Sequence, residues 1–189
     1  SGKASLTSAQ VDEGSKDNCG ITRLSIDREQ FDCNTLGEQP ITLTATDAAG
    51  NTSAVTVTVT VLDTLAPVVL AKNITLDLDD SGKAILSPQD IDEGSTDNCG
   101  IATRHLQHTV FDCSQVGALS VQYTVTDAPG NSTPVSTRVT IRDVTAPEAL
   151  SRNAVLELDW NGKAVLAVED VDDASTDNCS IVSRALSQT

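Results

Sequence analysis

Residues 121–131 read Val-Gln-Tyr-Thr-Val-Thr-Asp-Ala-Pro-Gly-Asn. Apolar and polar side chains alternate over the first six positions, which predicts a β-strand with one buried face. The last five positions combine Asp and Asn, which cap local backbone groups, with a glycine that tolerates positive φ. They predict the turn of a hairpin. The alternation resumes at residues 135–142, where we expect the return strand.

The sequence contains an internal repeat. Asp-Asn-Cys begins at positions 17, 97 and 177, Gly-Lys-Ala at 2, 82 and 162, and Phe-Asp-Cys at 31 and 111, so each motif recurs after 80 positions. Such self-similarity indicates an array of homologous modules, and the Ala-Pro pairs at 66–67 and 146–147 suit linkers. We therefore expect a first repeat at 1–65 that lacks its first strand, a complete repeat at 66–145, and the N-terminal half of a third repeat at 146–189. The chain is expected to be a piece of a longer array.

Strand signals dominate each repeat. About seven short alternating segments, separated by turns every 8 to 12 residues or so, are typical of a small sandwich. One short helical turn is expected at Ser87-Pro88-Gln89-Asp90, where a capping serine precedes a proline and an acid follows. The predicted fold class is therefore all-β, with tandem immunoglobulin-like antiparallel β-sandwich modules that follow the 80-residue period.

Charge and composition exclude several classes of function. The chain has 12 Lys and Arg against 27 Asp and Glu, a formal net charge of −15, so it repels nucleic acid and anionic membranes and attracts cations. No apolar run is long enough for a membrane-spanning segment. The two histidines, His105 and His108, have no counterpart in the other repeats, and no set of nucleophile, base and acid recurs. We predict no catalytic residues and no enzyme, no nucleic-acid partner and no membrane insertion.

The five cysteines are Cys19, Cys33, Cys99, Cys113 and Cys179. Two pairs share a spacing of 14, since 33 − 19 and 113 − 99 both equal 14. This spacing predicts the disulfides Cys19–Cys33 and Cys99–Cys113 within single repeats, with the partner of Cys179 outside the sequence. Disulfides indicate an oxidising, extracellular compartment. The alternative is metal binding by the cysteines, although no histidine recurs to complete a zinc site.

Repeated acidic residues are candidate calcium ligands, because Ca²⁺ takes six to eight oxygen ligands. The candidates in the acidic loops are Asp12, Asp17, Asp92, Asp97, Asp172 and Asp177. The alternative is that these carboxylates cap helix and turn backbones. Asp63 and Asp143 precede the Ala-Pro linkers and are a second group of candidates, because each could meet the turn of the neighbouring repeat and bind Ca²⁺ between repeats. The alternative there is that surface acids keep a long fibre soluble.

The complete repeat carries a recognisable combination of motifs. Residues 90–101 read Asp-Ile-Asp-Glu-Gly-Ser-Thr-Asp-Asn-Cys-Gly-Ile, followed by Phe-Asp-Cys at 111–113, Thr-Val-Thr-Asp at 124–127 and Gly-Asn at 130–131. This combination resembles the hyalin-repeat-like (HYR-like) modules of large surface proteins of gliding and biofilm-forming Bacteroidota. The resemblance implies an immunoglobulin-like sandwich, a location at the cell surface, a role in adhesion or as a stalk, and secretion by the type IX system. Residues 63–65, Asp-Thr-Leu, are similar to the short O-glycosylation signal of that group, which implies modification of Thr64.

We therefore expect an extracellular structural and adhesive segment, a stalk or fibre of a long bacterial surface protein, pinned by disulfides and stiffened by calcium. Its expected partners are the neighbouring repeats of the same chain and an unidentified surface, glycan or protein ligand. Self-association into a filament stays open, because an array has edge strands and identical faces. The alternative is a carbohydrate- or protein-binding module, for which Trp160 is the candidate contact because its counterpart one repeat earlier is Asp80.

Overall fold

The computed structural model describes residues 2–187 and confirms the all-β fold class. The strands are β1 Lys3–Ser5, β2 Ile21–Ile26, β3 Gln30–Asp32, β4 Gly37–Asp47, β5 Thr52–Val61, β6 Ile74–Asp77, β7 Lys83–Ile85, β8 Ile101–Leu106, β9 Val110–Asp112, β10 Gly117–Asp127 and β11 Ser132–Arg142. The helices are single turns, α1 Ser8–Val11, α2 Pro88–Ile91 and α3 Val168–Val171, and two 3₁₀ turns span Cys33–Thr35 and Cys113–Gln115.

The 80-residue period of the sequence reappears in the elements. Strand β4 at Gly37–Asp47 and strand β10 at Gly117–Asp127 have the same 11-residue length and lie 80 positions apart. The three helical turns begin at residues 8, 88 and 168. Equivalent sequences of the first two repeats therefore form equivalent local structure.

Hairpins build the sheets. In the sheet β2-β4-β5 all pairings are antiparallel, and β4 pairs with β5 from Gly37↔Val61 to Thr46↔Thr52. A second sheet has the order β6-β11-β10-β8, and the pair β6–β11 is parallel, an exception to the antiparallel expectation. A parallel pair needs a long crossover, which the intervening chain of the repeat supplies. The short antiparallel pairs β1–β3 and β7–β9 match at Ala4↔Phe31 and Ala84↔Phe111.

The chain forms two compact units, each of which combines segments that are separate in the sequence. One comprises Ser1–Val69, Ser95–Arg104 and Thr124–Thr133. The other comprises Leu70–Gly94, His105–Tyr123 and Pro134–Thr189. The first unit thus contains the expected first repeat together with three segments of the expected second repeat. Two of these segments include the Asp-Asn-Cys loop and the turn after β10, and the third is the short stretch 66–69.

Alternating side chains form the core, as the sequence pattern predicts. Val121, Tyr123 and Val125 of β10 are fully buried, as is Phe111 of β9. Ile41 of β4 is also fully buried. Burying a side chain of this size contributes about 1.5–3 kcal/mol of transfer free energy. The buried face of each strand therefore fixes its register, because a shift of one residue would expose every one of these side chains.

Candidate functional site

The disulfides join each Phe-Asp-Cys motif to the Asp-Asn-Cys motif of the following 80-residue period. Cys33 is bonded to Cys99 and Cys113 to Cys179, each across a sequence separation of 66 residues. The predicted pairings Cys19–Cys33 and Cys99–Cys113 are therefore wrong, and Cys19 is a free, exposed thiol. The physical reason is geometric, since a bond forms where the Cα atoms come within about 4.4–6.8 Å of each other, and here they are 5.2 and 5.3 Å apart.

A capped turn presents Cys33 to its partner. Asp32 ends β3, and its Oδ1 accepts a hydrogen bond from the backbone N–H of Asn34 at 2.9 Å. The 3₁₀ turn that follows begins at Cys33. The Sγ of Cys33 lies 3.6 Å from the carbonyl oxygen of Gly2 and 3.3 Å from that of Asn98. The sulfur is therefore packed between backbone groups of two repeats.

The second disulfide has the same surroundings. Cys113 Sγ lies 3.7 Å from the carbonyl oxygen of Gly82 and 3.5 Å from that of Asn178. Asp112 caps the turn through its Oδ1, which accepts from the N–H of Ser114 at 2.9 Å. The inter-repeat bond and its environment are thus a property of the repeat and occur twice in the chain.

The glycine of the Gly-Lys-Ala motif is required by this packing. A Cβ on Gly82 would lie 2.7 Å from Cys113 Sγ and 2.7 Å from the carbonyl oxygen of Asn178. A Cβ on Gly2 would lie 2.6 Å from Cys33 Sγ. The glycine of the first two copies of the motif therefore makes room for the disulfide.

Three carboxylates meet in the first unit. One oxygen each of Asp63, Asp97 and Asp127 lies within 4.8 Å of the others. Asp63 and Asp97 are among the candidate ligands named from the sequence, whereas Asp127 is not. The signal for Asp127 is the repeated Thr-Asp-Ala-x-Gly-Asn motif at residues 46–51 and 126–131, but capping of the turn explains that motif equally well.

Hydrogen bonds hold the cluster together and leave two oxygens without a partner. Asn98 Nδ2 donates to Asp63 Oδ1 at 3.0 Å, and Asn131 Nδ2 donates to the carbonyl oxygen of Asp63 at 3.1 Å. Asn131 Nδ2 also donates to Asp127 Oδ2 at 2.7 Å. Asp63 Oδ2 and Asp97 Oδ1 are inaccessible to solvent and accept no hydrogen bond in the described part of the chain. Buried carboxylate oxygens without partners are costly, and hard cations bind such oxygens.

The other candidate ligands belong to no cluster of three such groups within residues 2–187. They are Asp12, Asp17, Asp92, Asp143, Asp172 and Asp177. The side-chain hydroxyl of Ser15 donates to Asp12 and lowers the pKa of its carboxyl, and Ser175 lowers the pKa of Asp172 in the same way. Asp177 Oδ1 accepts from the N–H of Cys179 at 2.9 Å. These contacts are local caps, which is the alternative role that the sequence left open.

Two further candidate residues are accessible. Thr64 is exposed next to Asp63. Trp160 is 92% exposed in the turn where the N–H of Asp159 donates to the carbonyl of Lys163 at 2.7 Å. Within residues 2–187, no helix has the length and apolar character needed to cross a membrane.

No protein-family model and no curated protein sequence matches the chain. Among solved structures, a protocadherin gamma-B7 cis-dimer fragment of extracellular cadherin domains 3 to 6 is similar at 19% identity and a TM-score of 0.34, covering 78% of this chain and 47% of that one. Domains 1 to 3 of a mouse clustered protocadherin gamma-C3 are similar at 16% identity and a TM-score of 0.32, covering 75% and 53%. The chain spans about half the length of these structures. No functional inference rests on similarities this distant.

Proposed function

We propose that the chain is an extracellular structural segment, a stalk or fibre of a longer adhesive surface protein, in which disulfides staple each repeat to the next. The observation that carries the proposal is the shared separation of 66 residues in Cys33–Cys99 and Cys113–Cys179. Because the same bond recurs 80 residues later, we infer that every pair of successive repeats in the longer protein is joined by such a disulfide. Disulfides persist in oxidising compartments, which supports an extracellular location.

The proposal includes the finer expectations from the sequence. The repeats run over 1–65, 66–145 and 146–189, and the modules are HYR-like. A Bacteroidota source, secretion by the type IX system and O-glycosylation of Thr64 belong to the same proposal. The exposure of Thr64 supports its modification.

The proposed mechanism is mechanical. A pull on the two chain ends reaches Cys33 and crosses directly to Cys99 through the sulfur atoms, so the 66-residue loop carries no load. The second bond protects its own loop in the same way. An array in which every repeat is bonded to the next in this way keeps its end-to-end length under force even where a sandwich domain unfolds.

Single-molecule extension tests the staple. In the oxidised chain, residues between bonded cysteines cannot extend, whereas reduction should release about 220–240 Å of additional contour length per bond, from 66 residues at roughly 3.3–3.6 Å each. Equal unfolded lengths with and without reductant would contradict the proposal. The variant Cys19→Ser is the matched control, because it removes a thiol that is in neither bond.

A bound cation would stiffen the same junction. We place Ca²⁺ at Asp63, Asp97 and Asp127, because two of these carboxylates have buried oxygens without hydrogen-bond partners among the described residues. The net charge of −15 favours cation binding and makes repulsion between stacked repeats a cost that a cation offsets. The ion would hold the end of β5, the Asp-Asn-Cys loop and the turn after β10 in one position.

A binding module is the second candidate function. The observation that favours it is the indole of Trp160, which is 92% exposed in a chain with a single tryptophan. Exposed aromatic rings stack on sugars and on partner side chains. This function is compatible with the stalk, because the two use different surfaces.

A further inference from the structure

We propose that the first repeat carries a docking face for another copy of this repeat, and that Cys19 forms a disulfide with the Phe-Asp-Cys cysteine of that copy. We define the docking face as Asp17, Asn18, Cys19, Asp47 and Asn51. The inference rests on the proposed stapling of repeats and extends it to a residue that the structure leaves unbonded.

The same five positions are already occupied in the second repeat. They are Asp97, Asn98, Cys99, Asp127 and Asn131, each identical in type to its counterpart 80 positions earlier. There Cys99 is bonded to Cys33, and Asn98 and Asn131 donate to Asp63. The occupant is thus identified within the chain itself. It is the end of β5 and the Phe-Asp-Cys segment of a preceding repeat.

The docking face is pre-formed. The N–H of Cys19 donates to Asp17 Oδ2 at 2.7 Å, as the N–H of Cys179 donates to Asp177. Asn51 donates to Asp47 through its N–H at 2.8 Å and through Nδ2 at 2.7 Å. Asn131 and Asp127 make the same pair of bonds in the second repeat. The loop of Cys19 thus already has the bond that the occupied loop of Cys179 keeps, and this pre-organisation lowers the entropic cost of binding.

The Asp-Asn-Cys loop of the docking face is more exposed to solvent than the same loop in the other two repeats. Asp17, Asn18 and Cys19 are exposed, whereas residues 97–99 and 177–179 are half-buried. The sequence of the loop does not explain this difference, since Asp-Asn-Cys is the same in all three repeats. What differs is that a bonded cysteine of a preceding repeat covers the second and third loops.

The bond follows ordinary thiol–disulfide chemistry. The thiolate of Cys19 or of the incoming cysteine attacks a small disulfide such as oxidised glutathione and forms a mixed disulfide. The other protein thiolate then displaces glutathione. Two protein thiols lose two electrons and two protons, and one oxidised glutathione is reduced to two molecules of glutathione. A Cys19 thiol that is accessible to solvent meets the requirement of access.

An extended chain tests the inference. Residues 1–80 are fused to the N-terminus of the full chain, so that Asp80 precedes Ser1 as it precedes Ser81 in the natural sequence. The separation between the added Cys33 and the original Cys19 is then 80 + 19 − 33 = 66 residues, that of both observed bonds. The protein is refolded with reduced and oxidised glutathione, alkylated and mapped by non-reducing peptide mass spectrometry.

We expect a peptide pair joining the added Cys33 to the original Cys19, with alkylation confined to the added Cys19. The control variant carries Cys33→Ser in the added copy and should restore full alkylation of the original Cys19. If Cys33–Cys99 and Cys113–Cys179 are intact, either of two results without that substitution overturns the inference. One is alkylation of the original Cys19, and the other is a disulfide between the original Cys19 and a cysteine other than the added Cys33. Absence of those two bonds would overturn the proposed function as well.

Discussion

Gly82 lies directly against Cys113, so that a methyl group on its Cα would be 2.7 Å from the sulfur. We expect Gly82→Ala to lower the free energy of unfolding, because the disulfide and the backbone of Asn178 on its other side must both move. Overpacking of this kind costs about 1–3 kcal/mol. Chemical denaturation under non-reducing conditions measures the loss.

Gly162→Ala is the matched control, because Gly162 has φ +73, close to the +70 of Gly82, and no atom of the described residues lies within 4 Å of the added Cβ. Both variants incur the backbone cost of a positive φ, about 1–2 kcal/mol. The additional loss in Gly82→Ala therefore reports the packing against the sulfur. Equal losses in the two variants would contradict the close approach.

The Cys113–Cys179 bond closes a loop across a separation of 66 residues. Removing it in the double variant Cys113→Ser/Cys179→Ser should cost about 4 kcal/mol, because the unfolded chain regains the entropy of the open loop. Denaturant unfolding of both proteins measures the difference. Cys19→Ser should leave the free energy of unfolding within about 0.5 kcal/mol of the parent, as is usual at exposed positions.

The pairing of the cysteines in the parent protein is the second control for the unfolding measurement. Alkylation of the native chain should label Cys19 alone, and peptide mapping should recover Cys33 with Cys99. A Cys19–Cys33 peptide would show that the pairing within one repeat, predicted from the sequence, is the correct one.

Calcium should raise the melting temperature of the chain. At a free concentration of 100 times its Kd, an ion that binds only the folded state adds about 2.7 kcal/mol to the free energy of unfolding. Asp97→Asn should abolish the difference between melts in Ca²⁺ and in EDTA, because it removes one of the clustered charges. Asp143→Asn, which lies outside the cluster, should retain it. A parent melting temperature that is identical in Ca²⁺ and in EDTA would remove the ion from the proposed function.

Asp79 should contribute to the acid sensitivity of the fold. A hydrogen bond from the side chain of Ser81 and one from the backbone of Lys83 lower the pKa of Asp79. A carboxyl group whose pKa is lower in the folded state stabilises the fold above its unfolded pKa of about 3.9, and this stabilisation is lost as the pH falls through the folded value. Unfolding measured from pH 6 to pH 2 should therefore show a shallower loss of stability in Asp79→Asn than in the parent.

Asp80→Asn is the control for that measurement, since it removes the same charge at the neighbouring exposed position. If both variants flatten the acid limb equally, the effect comes from net charge, and the hydrogen bonds of Asp79 do not contribute to it.

Substitution of Trp160 distinguishes a binding module at this turn from a stalk that binds no ligand there. Trp160→Ala should leave the free energy of unfolding within about 0.5 kcal/mol of the parent, because the side chain is 92% exposed. Screening both proteins against a glycan array then reads binding alone. Binding by the parent that is lost in Trp160→Ala would establish the binding module, whereas a stalk without a ligand at this turn predicts no difference between the two.

The sequence by itself determined the period, the strands and the core. Alternation at residues 121–126 fixed β10, and the glycine and Asp of the next five residues fixed the turn, because these patterns depend on neighbours in the chain. Because the period is constant at 80 residues, the position of each element in the first repeat likewise predicts the position of its counterpart in the second.

Only the tertiary structure decided which cysteines bond and which acids meet. A spacing of 14 within a repeat implies a spacing of 66 to the next repeat, so the sequence fits both pairings of Cys33 equally well. Distance in space chose Cys99. The sequence named Asp63 and Asp97 as separate candidate ligands, but it did not single out Asp127, because capping of the turn explains the motif in which Asp127 lies. Their proximity depends on how the end of one repeat meets two loops of the next, and no local pattern encodes that contact.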